Sequence, residues 1–205
     1  MRITQEAKRQ NRQKILETAA TLFNEQGYEK TTTRDISKAC GMAKGTIFNY
    51  FPSKETLAMT MVAEAMEEGR QTYLKRRSGA ENLLEDLFLF VASELRALRS
   101  FRLYIGPVLE SGMSVFAKHS NCPAGEEARL AHLNTVGSIL EDHDFEIPEN
   151  SVTVTLYWSL YLGLLAHWSK DTSDNQQETL ALLDYSMRVF TSIIAGHLPQ
   201  LDDGI

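Results

Sequence analysis

The sequence predicts an all-α chain. Three observations carry that prediction: apolar residues recur at three- and four-residue spacing through nearly the whole length, no run alternates in the manner of a strand, and no Asn-Gly hairpin signal occurs. Breakers such as Gly27, Ser78-Gly79 and Pro148 fall between the periodic runs.

Taken in order, Ile15, Ala19, Leu22 and Phe23 mark a first helix that stops at Gly27, a residue that tolerates positive φ. Thr32 followed by Asp35 reads as a capping box, with Ile36 and Ala39 as the buried face of the helix it opens. Gly41 ends that helix in a tight turn. A short helix then runs from about Lys44 to Tyr50 with Ile47 pointing inward, until Phe51-Pro52 stops it. Ser53 caps the next helix, which carries Glu55 in its first turn and continues through Leu57, Met61 and Ala65 to about Arg77, interrupted only by Gly69. Beyond Ser78-Gly79, Leu83, Leu84, Leu87, Phe88, Val91, Leu95 and Leu98 form another helix. Gly106-Pro107 and Ser111-Gly112 bound a short apolar one. Asn121-Cys122-Pro123 opens a further helix that Phe145 to Pro148 closes, and the last two run from Ser151 to Ser169 and from about Gln176 to His197.

The chain has 205 residues, 21 Lys+Arg, 27 Asp+Glu and a formal net charge of -6, which by itself argues against nucleic-acid binding. The total hides a split. Residues 1–54 hold ten basic residues against five acidic ones, a local net of +5, whereas 55–205 hold 11 against 22, a local net of −11. That asymmetry predicts a basic module joined to an acidic body, with boundaries at 1–54 and 55–205. A hydrophobic fraction of 43% with 12 Gly and 5 Pro describes a globular chain with a real core.

Cys40 and Cys122 stand far apart without a CxxC, which predicts neither a disulfide framework nor a zinc site and fits a reduced cytoplasm. The N-terminus lacks the apolar region of a secretory signal. Ser151 to Ser169 contains no Asp, Glu, Lys or Arg, but Thr153, Thr155, Ser159 and His167 dilute it and no basic flank sets a topology, so a doubly buried helix is expected there and no membrane partner.

Helix, three-residue turn, helix is the unit that places its second helix in the major groove. The stretch from Gly27 to Leu57 resembles the N-terminal DNA-binding domain of the TetR family of transcriptional regulators. The resemblance rests on Gly27, the run Thr32-Thr33-Arg34-Asp35-Ile36, Ala39, Gly41, Gly45-Thr46, Tyr50-Phe51, Ser53-Lys54-Glu55 and Leu57, and covers roughly a quarter of the chain. It implies that Thr32, Thr33 and Arg34 meet phosphates at a helix start, that Lys54 contacts a phosphate, and that Lys44, Gly45, Thr46, Asn49 and Tyr50 lie on or near the groove-facing side. Lys44 can donate to guanine, Asn49 can pair with adenine and Thr46 can touch a thymine methyl. Two positions depart from the family pattern. Ala43 stands where Ser or Thr is usual, so the recognition helix lacks a side-chain cap, and Phe48 stands where Tyr is usual, so it offers a ring for sugar or methyl contact but no hydroxyl.

The acidic body predicts assembly and ligand binding. Leu156, Leu160 and Gly163 form one face of the eighth periodic segment, and Leu180, Leu183, Met187, Phe190 and Ile194 a seam on the last, together suited to a homodimeric four-helix bundle. Phe88, Val91, Leu95, Tyr104, Val108, Met113, Phe116, Trp158, Tyr161 and Leu165 are candidates for lining a pocket for a mostly apolar small molecule. Asp142, His143, Asp144 and Glu146 read as a solvated loop, Lys75 to Arg77 as a solvated helix end and His167 as a hydrogen-bonded core histidine. No cofactor, metal or catalytic motif is expected. The leading expectation is a homodimeric repressor released from a palindromic double-stranded operator by a small effector. Its rivals are a DNA-binding protein of the same fold controlled by a protein partner and an enzyme holding a metal at Asp142 and His143.

Overall fold

The structure, a computed structural model, describes residues 4–113, 122–145 and 151–196, and within them it is helical with no strand. The helices are α1 (Gln5–Gln26), α2 (Thr33–Cys40), α3 (Lys44–Tyr50), α4 (Lys54–Arg76), α5 (Leu83–Ala97), α6 (Ile105–Gly112), α7 (Pro123–Asp142), α8 (Ser151–Lys170) and α9 (Gln177–Ile194). Short 3-10 turns at Leu98–Phe101 and Asp174–Gln176 follow α5 and precede α9. No described helix is long and apolar enough to cross a membrane.

Local chemistry fixes the helix ends. The Thr4 hydroxyl accepts the Ala7 N–H at 3.2 Å to open α1, and Gly27 leaves it at φ 88°. Thr32 and Asp35 form the reciprocal capping box of α2, and Gly41 closes it in the left-handed region at φ 65°. Ser53 Oγ accepts from the Thr56 N–H at 3.0 Å at the start of α4. Asn82 and Glu85 make a second capping box for α5.

Two compact units result, Met1–Glu64 with Leu103–Ala128 and Ala65–Arg102 with Arg129–Ile205. In the first, α1 packs on α2 and α2 on α3. Ile15, Ala19, Phe23, Ile36, Cys40, Ile47, Phe51 and Leu57 are buried there. Cys40, one turn from Ile36, takes the place expected of Ala39, which is exposed. Phe23, Tyr28 and Tyr104 add an aromatic cluster, with Tyr104 stacked on Tyr28 at 5.9 Å between centroids.

In the second unit α9 packs against both α5 and α8. Its apolar stripe is used up there: Leu183, Met187 and Phe190, expected on a seam between protomers, are at most 1% exposed within the single chain. Hydrophobic spacing marks a face to be covered but does not say by which neighbour. Helices α4 and α5 meet where Gly69 faces Glu94, so closely that a β-carbon at Gly69 would stand 2.6 Å from Glu94 Cα. The turn before α9 is stapled by Asp171, which accepts the N–H groups of Ser173 at 2.8 Å and Thr179 at 3.0 Å and the Thr179 hydroxyl. Those hydrogen bonds hold its carboxyl well below the usual carboxylate range.

Polar groups bind the body together where the sequence predicted solvated ends. Buried Asp86 of α5 accepts the Tyr73 hydroxyl at 2.7 Å and pairs with Arg77 at 2.8 Å and His143 at 3.1 Å. Arg77 also pairs with Asp142 at 2.6 Å. Arg77, Asp142 and His143 thus tie the ends of α4 and α7 to α5, and no group of described residues is arranged to hold a metal. His167 sits half-exposed on α8, and its Nε2 has no hydrogen-bond partner among the described residues.

Candidate nucleic-acid interface

Helix α3 is held to its unit by one buried side chain, Ile47, at 0% exposure. Around it Lys44, Gly45, Phe48 and Asn49 are exposed and Thr46 and Tyr50 half-buried. One side of this short helix therefore anchors and the rest is offered outward. A β-carbon added at Gly45 would meet no atom within 4 Å, so the backbone there is open to a close approach. Phe48 is 39% exposed, an apolar ring that the chain itself does not cover, with the Lys44 ammonium 5.4 Å from its centroid. Ala43, at the N-cap, makes no side-chain hydrogen bond, as its identity dictates.

Two neighbouring residues steady α3. Asn11 Nδ2 donates to the Tyr50 hydroxyl at 3.4 Å, and the Arg12 guanidinium lies 5.7 Å from the Phe51 ring while pairing with Glu64 at 2.7 Å. Neither residue was singled out from the sequence, because partners 39 positions apart leave no local pattern. Tyr50 is consequently turned toward α1 by its hydroxyl.

At the start of α2, Thr32 spends both of its donors on Asp35. Its N–H reaches Asp35 Oδ2 at 2.9 Å and its hydroxyl the same oxygen at 2.6 Å, and these bonds hold the Asp35 carboxyl below its usual range. Thr32 is thus a cap and has no donor left for a phosphate. Thr33 and Arg34 lie at the first two helical positions, where backbone N–H groups have no acceptor inside the helix. Lys54 is half-buried: its ammonium donates to the Tyr28 carbonyl at 2.9 Å and sits 4.1 Å from the Tyr28 centroid. One of its three N–H bonds is committed inside the chain, and two remain. Tyr28, stacked on Tyr104, is the common floor for both.

The candidate ligand residues divide between the units. Tyr104, Val108 and Met113 are buried in the first; Val91, Leu95, Trp158, Tyr161 and Leu165 are buried in the second; Phe116 lies outside the described residues. Phe88 lines an open groove of about 790 Å³ between α5 and α9. What the sequence predicted as apolar is partly polar. Glu94 Oε2 accepts from His132 Nδ1 at 2.8 Å and from the Tyr161 hydroxyl at 2.9 Å, and His132 Nε2 meets the Tyr157 hydroxyl at 3.0 Å. All four side chains are buried. Burial, then the charge of Glu94, pushes both tyrosine hydroxyls well above their ordinary range. The i,i+4 pair Tyr157 and Tyr161 opposite a lone acid in an apolar run was the available signal.

Among the residues expected to form a dimer face, Leu156 and Leu160 are half-buried and Gly163 is exposed, and a β-carbon built on it would meet no other described residue outside its own helix backbone within 4 Å. Leu180 is 41% exposed and lines the α5–α9 groove, and Ile194 is half-buried.

An exposed short helix behind a three-residue turn, standing on a three-helix core, is the architecture of a helix-turn-helix protein with a helical body. Residues 15–59 match the model of the bacterial regulatory proteins, tetR family. The chain is 46% identical over 48 residues to the uncharacterized HTH-type transcriptional regulator YuxN of Bacillus subtilis, a match covering 23% of this chain and 16% of that protein. It is 32% identical over 97 residues to the HTH-type transcriptional repressor Rv1474c of Mycobacterium tuberculosis, covering 44% of this chain and 51% of that one. The matched part is thus about half or less of either relative's length. The fold is similar to that of Thermus thermophilus FadR, a TetR-family transcriptional repressor solved in complex with lauroyl-CoA, with a TM-score of 0.73 at 19% identity over 95% of this chain and 98% of that one. Residues 15–59 thus match the tetR-family domain, and the relatives that share it are named as HTH-type transcriptional regulators.

Proposed function

We propose that this protein is a homodimeric transcriptional repressor that reads a palindromic operator through α3 and releases it on binding a small, mostly apolar ligand in its helical body. The observation that carries the reading is the outward face of α3, where Lys44, Gly45, Phe48 and Asn49 surround a single buried anchor. Lys44 and Asn49 supply donors and an amide fork for base edges, Thr46 and Phe48 apolar contact with thymine methyls and sugars, and Gly45 room for the backbone. Thr33, Arg34 and the two spare N–H bonds of Lys54 supply phosphate contacts, with Thr32 holding the start of α2 in shape.

The FadR neighbour, holding lauroyl-CoA, supports a ligand with a substantial apolar part. Release follows if the ligand favours a state in which α4, and with it Lys54 and the Tyr28–Tyr104 stack, stands differently. A protein acting this way works in the cytoplasm, where its DNA is.

The test uses the full-length chain and duplexes containing the inverted repeat nearest its own gene. Asn49→Ala is expected to lose discrimination worth about 1–3 kcal/mol at one base position and to bind other sequences nearly as before. Lys54→Ala is expected to weaken binding alike on all duplexes and to lower the salt slope by about 1. Uniform loss in Asn49→Ala would remove the reading role from α3. Intact operator binding with no small molecule able to release it would favour control by a protein partner.

A further inference from the structure

The second unit carries a partly apolar channel, basic at one end, whose arginines the repressor reading does not use. Two concavities, of about 790 and 430 Å³, lie along the seam of α5 and α9 and share Ala92, Arg96 and Leu180 in their walls. They are therefore neighbouring stretches of one depression. The apolar lining of its wider part is Leu84, Phe88, Leu89, Ala92 and Leu180, and its rim carries the acids Glu81, Glu85 and Asp184, which are spent on the Ser78 and Gly79 N–H groups, the Asn82 N–H and Arg188. Its narrower end is walled by Arg96, Arg99 and Arg102 on one side and by Ser173, Asn175 and Gln176 on the other.

The arginines are the informative part. They occur in a body whose local net charge is −11, yet three of them follow one another at three-residue spacing onto one end of the depression. Arg102 is anchored, its Nε donating to the Trp168 carbonyl at 2.8 Å. Arg96 and Arg99 are exposed and pair with no acid among the described residues. Facing them, Asn175 and Gln176 hold left-handed backbones at φ 52° and 58°, a conformation that non-glycine residues adopt rarely. From Leu84 to Arg96 the helix runs about 18 Å. An apolar trough of that length ending in two uncommitted guanidinium groups is complementary to a molecule with an aliphatic tail and a compact anionic head.

We propose that the α5–α9 channel binds a free, monomeric single-chain amphiphile with a carboxylate or phosphate head, the head on Arg96 and Arg99 and the tail against Phe88 and Leu180. The site stands apart from the DNA reading. It needs nothing from α2 or α3, and its test involves no DNA.

Isothermal titration calorimetry on the full chain, with dodecyl phosphate kept below its micellar concentration, measures it. Saturable binding with one molecule per chain is expected. The double variant Arg96→Gln/Arg99→Gln is expected to bind about tenfold more weakly or worse, and Leu180→Asp, which puts a charge in the trough, to do likewise. All three positions are exposed, and a thermal melt matching wild type confirms that each variant folds. Inorganic phosphate and dodecanol, each carrying half of the recognised chemistry, are expected to bind far more weakly than dodecyl phosphate. Equal affinity for wild type and both variants would overturn the assignment. So would inorganic phosphate or dodecanol binding as tightly as the amphiphile, or binding to anionic vesicles with none to the monomer.

Discussion

At the scale of single residues, the informative positions are those whose hydrogen-bonding capacity is already spent. Thr32 resembles a phosphate contact by position, but both of its donors go to Asp35, which makes it a cap. Lys54 gives one N–H to the Tyr28 carbonyl and keeps two. Glu94 is the extreme case, a buried carboxylate that accepts from His132 and Tyr161. With Nδ1–H donating to Glu94, His132 Nε2 is placed to accept the Tyr157 hydroxyl, so both ring nitrogens, both hydroxyls and Glu94 Oε2 are matched. Removing Glu94 leaves two buried donors without an acceptor, at about 1–3 kcal/mol each. Glu94→Ala is therefore expected to lower the urea-unfolding free energy by about 2–6 kcal/mol with an unchanged m-value, and Glu94→Gln by distinctly less. A loss below about 1 kcal/mol in Glu94→Ala would mean that water replaces the carboxylate and that the network is not closed.

At the scale of elements, the local signals were the most legible. The capping box of Thr32 and Asp35, the Gly41 stop, the Ser53 cap and the inward Ile47 lie within a few positions of the helices they define, and all are observed. Where helix ends depend on distant partners, the sequence was silent. Arg77 looked like part of a solvated end because Asp86 and Asp142, which fix it, lie in other helices. The stripe of α9 was legible as a stripe, but its partner proved to be the chain's own α5 and α8, since periodicity counts apolar positions without saying what covers them. The outward face of α3 was legible for a different reason: seven residues with one anchor leave few places for a side chain to go. That same shortness makes α3 weak. It has no side-chain cap at Ala43, whose backbone at φ −65° and ψ 142° already has the shape that a capping residue takes. Ala43→Ser is expected to add about 1 kcal/mol to the stability of α3 and to slow amide exchange at Thr46 and Ile47. Unchanged protection there would show that Ile47 packing alone sets the helix population.

At the scale of the molecule, the charge split and the outward face of α8 work together. A net of −6 opposes DNA binding only if the charge is spread evenly, and here the basic first 54 residues carry +5 against −11 in the rest. A phosphate backbone would then attract the basic module and repel the acidic body, limiting unspecific contact by the body. On the proposed reading, one basic module alone reads one half-site. Two of them, held about 34–36 Å apart, would read a palindrome with the product of both affinities, so in the proposed homodimer the binding strength would rest on what joins the protomers. Leu183, Met187 and Phe190 are unavailable for that, being buried at home, whereas Leu156, Leu160 and the bare backbone at Gly163 lie on a side of α8 that the chain does not cover fully. Tyr185, 67% exposed on α9, is a large apolar group in the same condition. Leu156→Glu places a charge on this face without touching a fully buried side chain. In sedimentation the variant is expected to run as a monomer of 23.1 kDa with its helix content intact, and to bind a palindromic duplex no better than a single half-site. A variant that stays dimeric, or a monomer that keeps full affinity for the palindrome, would place the joining surface elsewhere.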